Sequence, residues 1–158
     1  MTTAVADEFE QLYSGRLWSL LSWQQLTDFW ARIDRGAGWY LYAVGEPLPT
    51  APATAQEVGR FIAETDALLR KEHHHDYCGI VYADDLESPR IVKIYDPNNL
   101  GSSCGTGKHP HPPGWIMSRV PPVGLERPSP LPENRRRWWQ SLLKGCPQSL
   151  LASAGLRV

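Results

Sequence analysis

Thr54 and Glu57 stand three residues apart at the head of an apolar stripe, and no other pattern in the chain constrains its fold as strongly. The Thr54 hydroxyl can accept from the Glu57 amide while the Glu57 side chain reaches back, the reciprocal arrangement of a capping box. Val58, Phe61, Ile62, Thr65, Leu68 and Leu69 then recur at three- and four-residue spacing, which predicts an amphipathic helix with one apolar side to bury. The segments around it are strand-like. Trp39 to Val44 precedes it, and Tyr77 to Ala83 and Arg90 to Tyr95 follow, the last two separated by DDLESP, a polar loop suited to an antiparallel hairpin.

Upstream, Phe9 to Ile33 carries Leu12, Leu17, Trp18, Leu20, Leu21, Leu26, Phe29, Trp30 and Ile33 near helical spacing, interrupted at Gly15. Two helical pieces are expected there, the second opened by a Ser22/Gln25 capping box and closed by Gly36 or Gly38. Trp115 to Val120 reads as another strand, and a last helix begins near Glu133. The resulting order is ααβαβββα, an α+β fold with a mixed, mainly antiparallel sheet of about four strands. The strand–helix–strand run across the capped helix predicts one parallel pair.

A length of 158 residues fits one domain, taken as 1–146, with 147–158 as a loosely held tail. Three cysteines at unrelated spacings, Cys78, Cys104 and Cys146, do not form a disulfide framework. Cys78, within YCGIVYA, is expected to pack as a small apolar residue. The opening MTTAVADEFE is acidic where a secretory signal would be basic and then apolar, and no apolar run is long enough to span a bilayer. A cytoplasmic location is the expectation. A net charge of −1 argues against a global attraction to nucleic acid or an anionic membrane.

The candidate working segment is the long stretch from Asp96 to Gly114, DPNNLGSSCGTGKHPHPPG. Loops of this length without regular structure tend to be functional or disordered. Its GSSCGTGKH run invites comparison with a phosphate-binding P-loop, but the spacing fails. The first required glycine falls on Ser102, and His109 stands where a magnesium-binding Ser or Thr belongs. A simpler backbone nest for an anion remains compatible, which makes a small enzyme holding an anionic ligand a third reading. Cys104, His109 and His111 offer thiolate and imidazole ligands for a transition metal, or a loop thiol activated by Lys108. Neither reading has a paired-cysteine signature or an orienting base, and no cofactor is predicted. Asp84, Asp85 and Glu87 read as a solvated turn, and Asp96-Pro97-Asn98-Asn99 as an Asx turn leading the chain out of the sheet. The run His73 to His75 reads as the cationic end of the capped helix.

Charge is segregated along the chain. Residues 1–34 hold five acids and two arginines, whereas six basic residues and two glutamates follow position 125. Arginine and tryptophan are the side chains most enriched at binding hot spots, and NRRRWWQSLLKG concentrates both, although Trp138 and Trp139 could equally enter the core. The first reading is therefore a non-catalytic accessory or adaptor protein. It takes a protein partner through the 96–114 loop and a Trp/Arg surface, using Asn98, Asn99, Lys108, His109, His111, Trp115, Arg135, Arg136, Trp138 and Trp139. The alternative is a metal-handling or thiol-redox accessory factor using Cys104, His109 and His111.

Overall fold

A computed structural model describes residues 2–73, 76–97, 112–125 and 132–144. In chain order the elements are α1 (Thr2–Ser14), β1 (Trp18–Ser19), α2 (Trp23–Arg32), β2 (Tyr40–Ala43), α3 (Ala55–Glu72), β3 (Val81–Ala83), β4 (Ile91–Ile94), β5 (Trp115–Ser118) and α4 (Glu133–Lys144). The strands form one sheet in the order β1-β3-β4-β5-β2, with every neighbouring pair antiparallel. The class is α+β, as the sequence pattern predicts.

Two details differ from that pattern. A fifth strand, β1, lies inside the stretch read as helical, because Leu17 to Leu21 is an apolar run whose periodicity does not distinguish strand from helix. The predicted parallel pair is also absent from the described sheet: α3 carries the chain from β2 at one edge to β3 two strands beyond β5. At about 1.5 Å per residue a helix of this length reaches about 27 Å, enough to cross those strands at about 4.8 Å each.

Strand alternation divides the interior in two. Leu41, Ala43, Val81, Ala83, Val92, Ile94, Trp115 and Met117 point to the side covered by α2, α3 and α4, where they meet Leu26, Phe29, Val58, Phe61, Leu69, Trp139 and Leu142. Tyr42, Val44, Ile91 and Ile116 point to the other side and meet Phe9, Leu12 and Tyr13 of α1. The Tyr42 hydroxyl accepts from the Leu125 amide at 3.1 Å and so ties the segment after β5 over this second side.

Local chemistry explains the helix ends. Thr54 Oγ1 accepts from the Glu57 amide at 3.1 Å and Glu57 Oε1 from the Thr54 amide at 2.8 Å, so the predicted box is complete. All six residues of the predicted α3 stripe are buried. At α2, Ser22 caps the Gln25 amide as expected, but Gln25 reaches back to the amide of Leu21, one residue earlier than a capping box requires. The helix stops at Ile33 in extended conformation, ahead of the glycines expected to close it. Asp85 accepts from the Glu87 and Ser88 amides, the turn predicted for DDLESP, and those bonds hold its carboxyl below the usual range.

Candidate functional site

The two roots of the 96–114 segment are fixed side by side. The Gly114 amide donates to Ile94 O at 2.9 Å while Gly114 O accepts from Val44 at 3.0 Å, so the returning chain enters the sheet between β4 and β2 before β5 begins. A side chain at Gly114 would place its Cβ 3.3 Å from Asp96 Cβ and 3.4 Å from the Asp96 nitrogen. Glycine permits this approach by its size.

The Asx turn expected at residues 96–99 runs outside the described residues, but Asp96 itself is placed. It is the acceptor of a bidentate ion pair: Arg135 Nε donates to Oδ2 at 2.7 Å and Nη2 to Oδ1 at 3.0 Å. The same Nη2 reaches Glu72 Oε1 at 3.1 Å. Both Asp96 and Arg135 are buried. Burial works to lower the Arg135 pKa, but the hydrogen bonds and charges of Asp96 and Glu72 outweigh it and push the pKa up. The cluster thus joins the end of α3, the start of α4 and the root of the loop. Its guanidinium is committed to two carboxylates, an arrangement that can hold geometry.

Aromatic packing completes this end of the molecule. Trp115, fully buried at the start of β5, meets the half-buried Trp138 ring at 5.2 Å, and Trp139 meets Phe61 at 6.1 Å. Trp30 and Trp39 donate their indole N–H groups to Asp66 and to the Asp34 carbonyl, whereas the buried Trp115 Nε1 has no hydrogen-bond partner among the described residues. Arg136 is half-buried, with its Nε 3.4 Å from Glu46.

Sequence-predicted residues therefore fall into three groups. Trp115, Arg135 and Trp139 are interior and brace the site from beneath. Trp138 and Arg136 are half-buried at its margin. Asn98, Asn99, Cys104, Lys108, His109 and His111 lie outside the described residues, so the metal, thiol and nest readings that depend on them do too. Among the described residues no group of three or more His, Cys, Asp and Glu side chains could hold a metal ion. No helix among them is long and apolar enough to cross a membrane.

Neighbouring groups clarify the remaining expectations. Cys78 is fully buried in the core, and burial raises its thiol pKa, consistent with an inert packing residue. His73 is the buried cap of α3; its Nε2 lies 2.9 Å from Cys78 O, which can only accept, so the ring proton sits on Nε2. Sequence reading missed the Asp96–Arg135–Glu72 cluster, since ion pairs between distant positions leave no local spacing. The one usable signal was an arginine preceding two tryptophans in a helix whose apolar side had to be buried.

The same sheet end carries exposed apolar groups. Cys78 N–H donates to Leu21 O at 2.7 Å and Tyr95 N–H to Ile80 O at 2.9 Å, placing the residues before β3 between those after β1 and after β4. Leu21 and Tyr77, 62% and 58% exposed, stand at this end of the sheet. Comparison with protein-family models, curated proteins and solved structures found no match.

Proposed function

We propose that the protein is a non-catalytic adaptor that takes a protein partner at the sheet end from which residues 98–111 emerge. The observation that carries this reading is the buried Asp96–Arg135–Glu72 cluster at the loop roots. It ties Asp96, at the point where the segment leaves the sheet, to α3 and α4, and so supports a reading in which residues 98–111 are presented from a fixed base. Binding residues are disproportionately found on loops positioned by a rigid scaffold. Leu21 and Tyr77 extend the surface with exposed apolar area, and Trp138 and Arg136 edge it, while the buried Arg135, Trp115 and Trp139 support it.

The test replaces residues 98–111 with a glycine–serine linker of equal length. The expected outcome is an unchanged melting temperature, together with loss of the partner that the unaltered chain retains by crosslinking in its own cells. A variant that unfolds, or one that still crosslinks to the same partner, would overturn the assignment. Leu21→Asp and Tyr77→Asp should weaken that partner's retention further when introduced into the unaltered chain.

A further inference from the structure

The side of the sheet under α1 holds a second constellation, independent of the loop. Lys93, in the middle of β4, is 8% exposed. Its Nζ lies 3.7 Å from the centroid of the Tyr13 ring of α1, and no carboxylate pairs with it among the described residues. Tyr82 stands opposite Lys93 in the β3–β4 register, and Tyr95 follows two positions along the chain, with its ring 5.6 Å from that of Tyr82. Among the described residues the hydroxyls of Tyr13, Tyr82 and Tyr95 have no hydrogen-bond partner. The other flanking position across the sheet, Ile116, is apolar. All three tyrosines are half-buried, so the cluster meets solvent at its rim.

A buried ammonium is ordinarily matched by a carboxylate or by several acceptors. Here the Tyr13 ring lies over it, and Tyr82 and Tyr95 occupy the neighbouring positions of the sheet, each with a phenol that can donate a proton. An ammonium and phenol hydroxyls together offer several donors to one acceptor group, and charge-assisted bonds of this kind are the strong ones. Burial raises the Tyr13 pKa, and Tyr95, the exposed Glu10 of α1 and the buried Tyr42 raise it further. We infer that Lys93, Tyr82 and Tyr95 form a binding site for a small oxyanion, phosphate or carboxylate, with Tyr13 of α1 as its movable wall. The Tyr13 ring face stabilises the ammonium when the site holds no anion, and an entering oxyanion takes over that role.

The experiment titrates the intact protein with inorganic phosphate and, separately, with acetate. Ionic strength is held with sodium chloride, and backbone amide shifts are followed by NMR. Saturable shifts centred on Tyr82, Lys93 and Tyr95 are expected. Binding of both anions identifies a general oxyanion site, and binding of phosphate alone identifies one requiring the higher charge; either supports the inference. Lys93→Met should weaken binding by about tenfold or more, and Tyr82→Phe and Tyr95→Phe should each weaken it by less. Lys93→Arg, which keeps the charge, should retain saturable binding, and circular dichroism confirms that each variant is folded. Absence of saturation with both anions, shifts centred elsewhere, or unaltered affinity in folded Lys93→Met would overturn the proposal. Since Tyr13, Tyr82, Lys93 and Tyr95 all lie outside the replaced stretch, this result and the linker replacement succeed or fail separately.

Discussion

The two sides of the sheet are built on different terms. Under α2, α3 and α4 the strands present only apolar side chains, and charge is confined to the margin, where Arg135 is met by two carboxylates. Under α1 the same strands present Lys93, Tyr42, Tyr82 and Ser118 beside Ile91 and Ile116. Ser118 resolves its own burial by donating to the Val120 carbonyl at 2.7 Å and accepting from the Val120 amide at 3.1 Å. Lys93 has only the Tyr13 ring among the described residues. The three-helix side is where stability is concentrated; the one-helix side carries groups whose burial opposes folding and whose donors suit a ligand.

The largest test of that division is Arg135→Ala. It leaves Asp96 buried and removes the tie between α3, α4 and the loop root, and breaking a buried pair in this way costs about 3–5 kcal/mol. Chemical denaturation should show the loss without a change in the fold at permissive denaturant concentrations. A loss below about 1 kcal/mol, the range of exposed pairs, would mean that the cluster is not a brace. Phe61→Ala and Phe9→Ala make a direct comparison, because both rings are fully buried on opposite sides. Phenylalanine truncations cost about 3–5 kcal/mol, with the larger values where surroundings cannot collapse. Phe61, on α3 between the sheet and Trp139 of α4, should fall at the upper end; Phe9, on the single helix that covers the other side, should fall at the lower.

How much of this was legible in the sequence depends on the distance over which each feature is specified. The α3 box and stripe, the DDLESP turn and the β3–β4 hairpin are local, and the sequence predicts them closely because capping and turn bonds join residues a few positions apart. β1 is short and draws its identity from pairing with Ala83 and Tyr82, which lie beyond α2, β2 and α3 in the chain, so its apolar run looked helical. The partner of β2 was equally invisible, since Tyr40–Ala43 pairs with strand residues beyond the long loop. The oxyanion candidate left a faint trace: Lys93 interrupts IVKIY, and tyrosines fall on its own side at Tyr82 and Tyr95. Only the register shows that they face one another.

Lys93→Met separates the two sides by sign, because it should stabilise the protein where most core changes destabilise it. Burial pulls the Lys93 pKa down from 10.5 to about 8, so between those values the unfolded chain binds more protons than the folded one. Stability should therefore be lowest below pH about 8 and rise as pH increases toward about 10.5. The half-buried Tyr13, with its pKa raised by desolvation from 10.0 to about 12, acts in reverse: its contribution is present below pH about 10 and lost as pH rises through about 12. The two trends place a stability maximum near pH 10. Lys93→Met should raise stability at pH 7 by about 1–3 kcal/mol and abolish the rise above pH about 8, while leaving the alkaline loss in place. Urea midpoints measured across this range check both signs. A destabilised variant at pH 7 would show that the Tyr13 contact outweighs the desolvation of the ammonium.

The smallest expected effect is the most selective for α1. Arg90, just before β4, forms an ion pair with Glu8 of α1, and both side chains are nearly half exposed. Exposed pairs contribute about 0.2–1 kcal/mol and weaken with salt, so a double-mutant cycle of Arg90→Ala and Glu8→Ala should return a coupling in that range that fades at high ionic strength. Phe9 and Leu12 would then be what docks the helix, and the ion pair would set little more than its orientation. A coupling above about 2 kcal/mol that survives salt would reverse the comparison. It would mean that α1 is held from its charged edge, leaving the apolar contacts beneath it to adjust around Tyr13 when an oxyanion reaches Lys93.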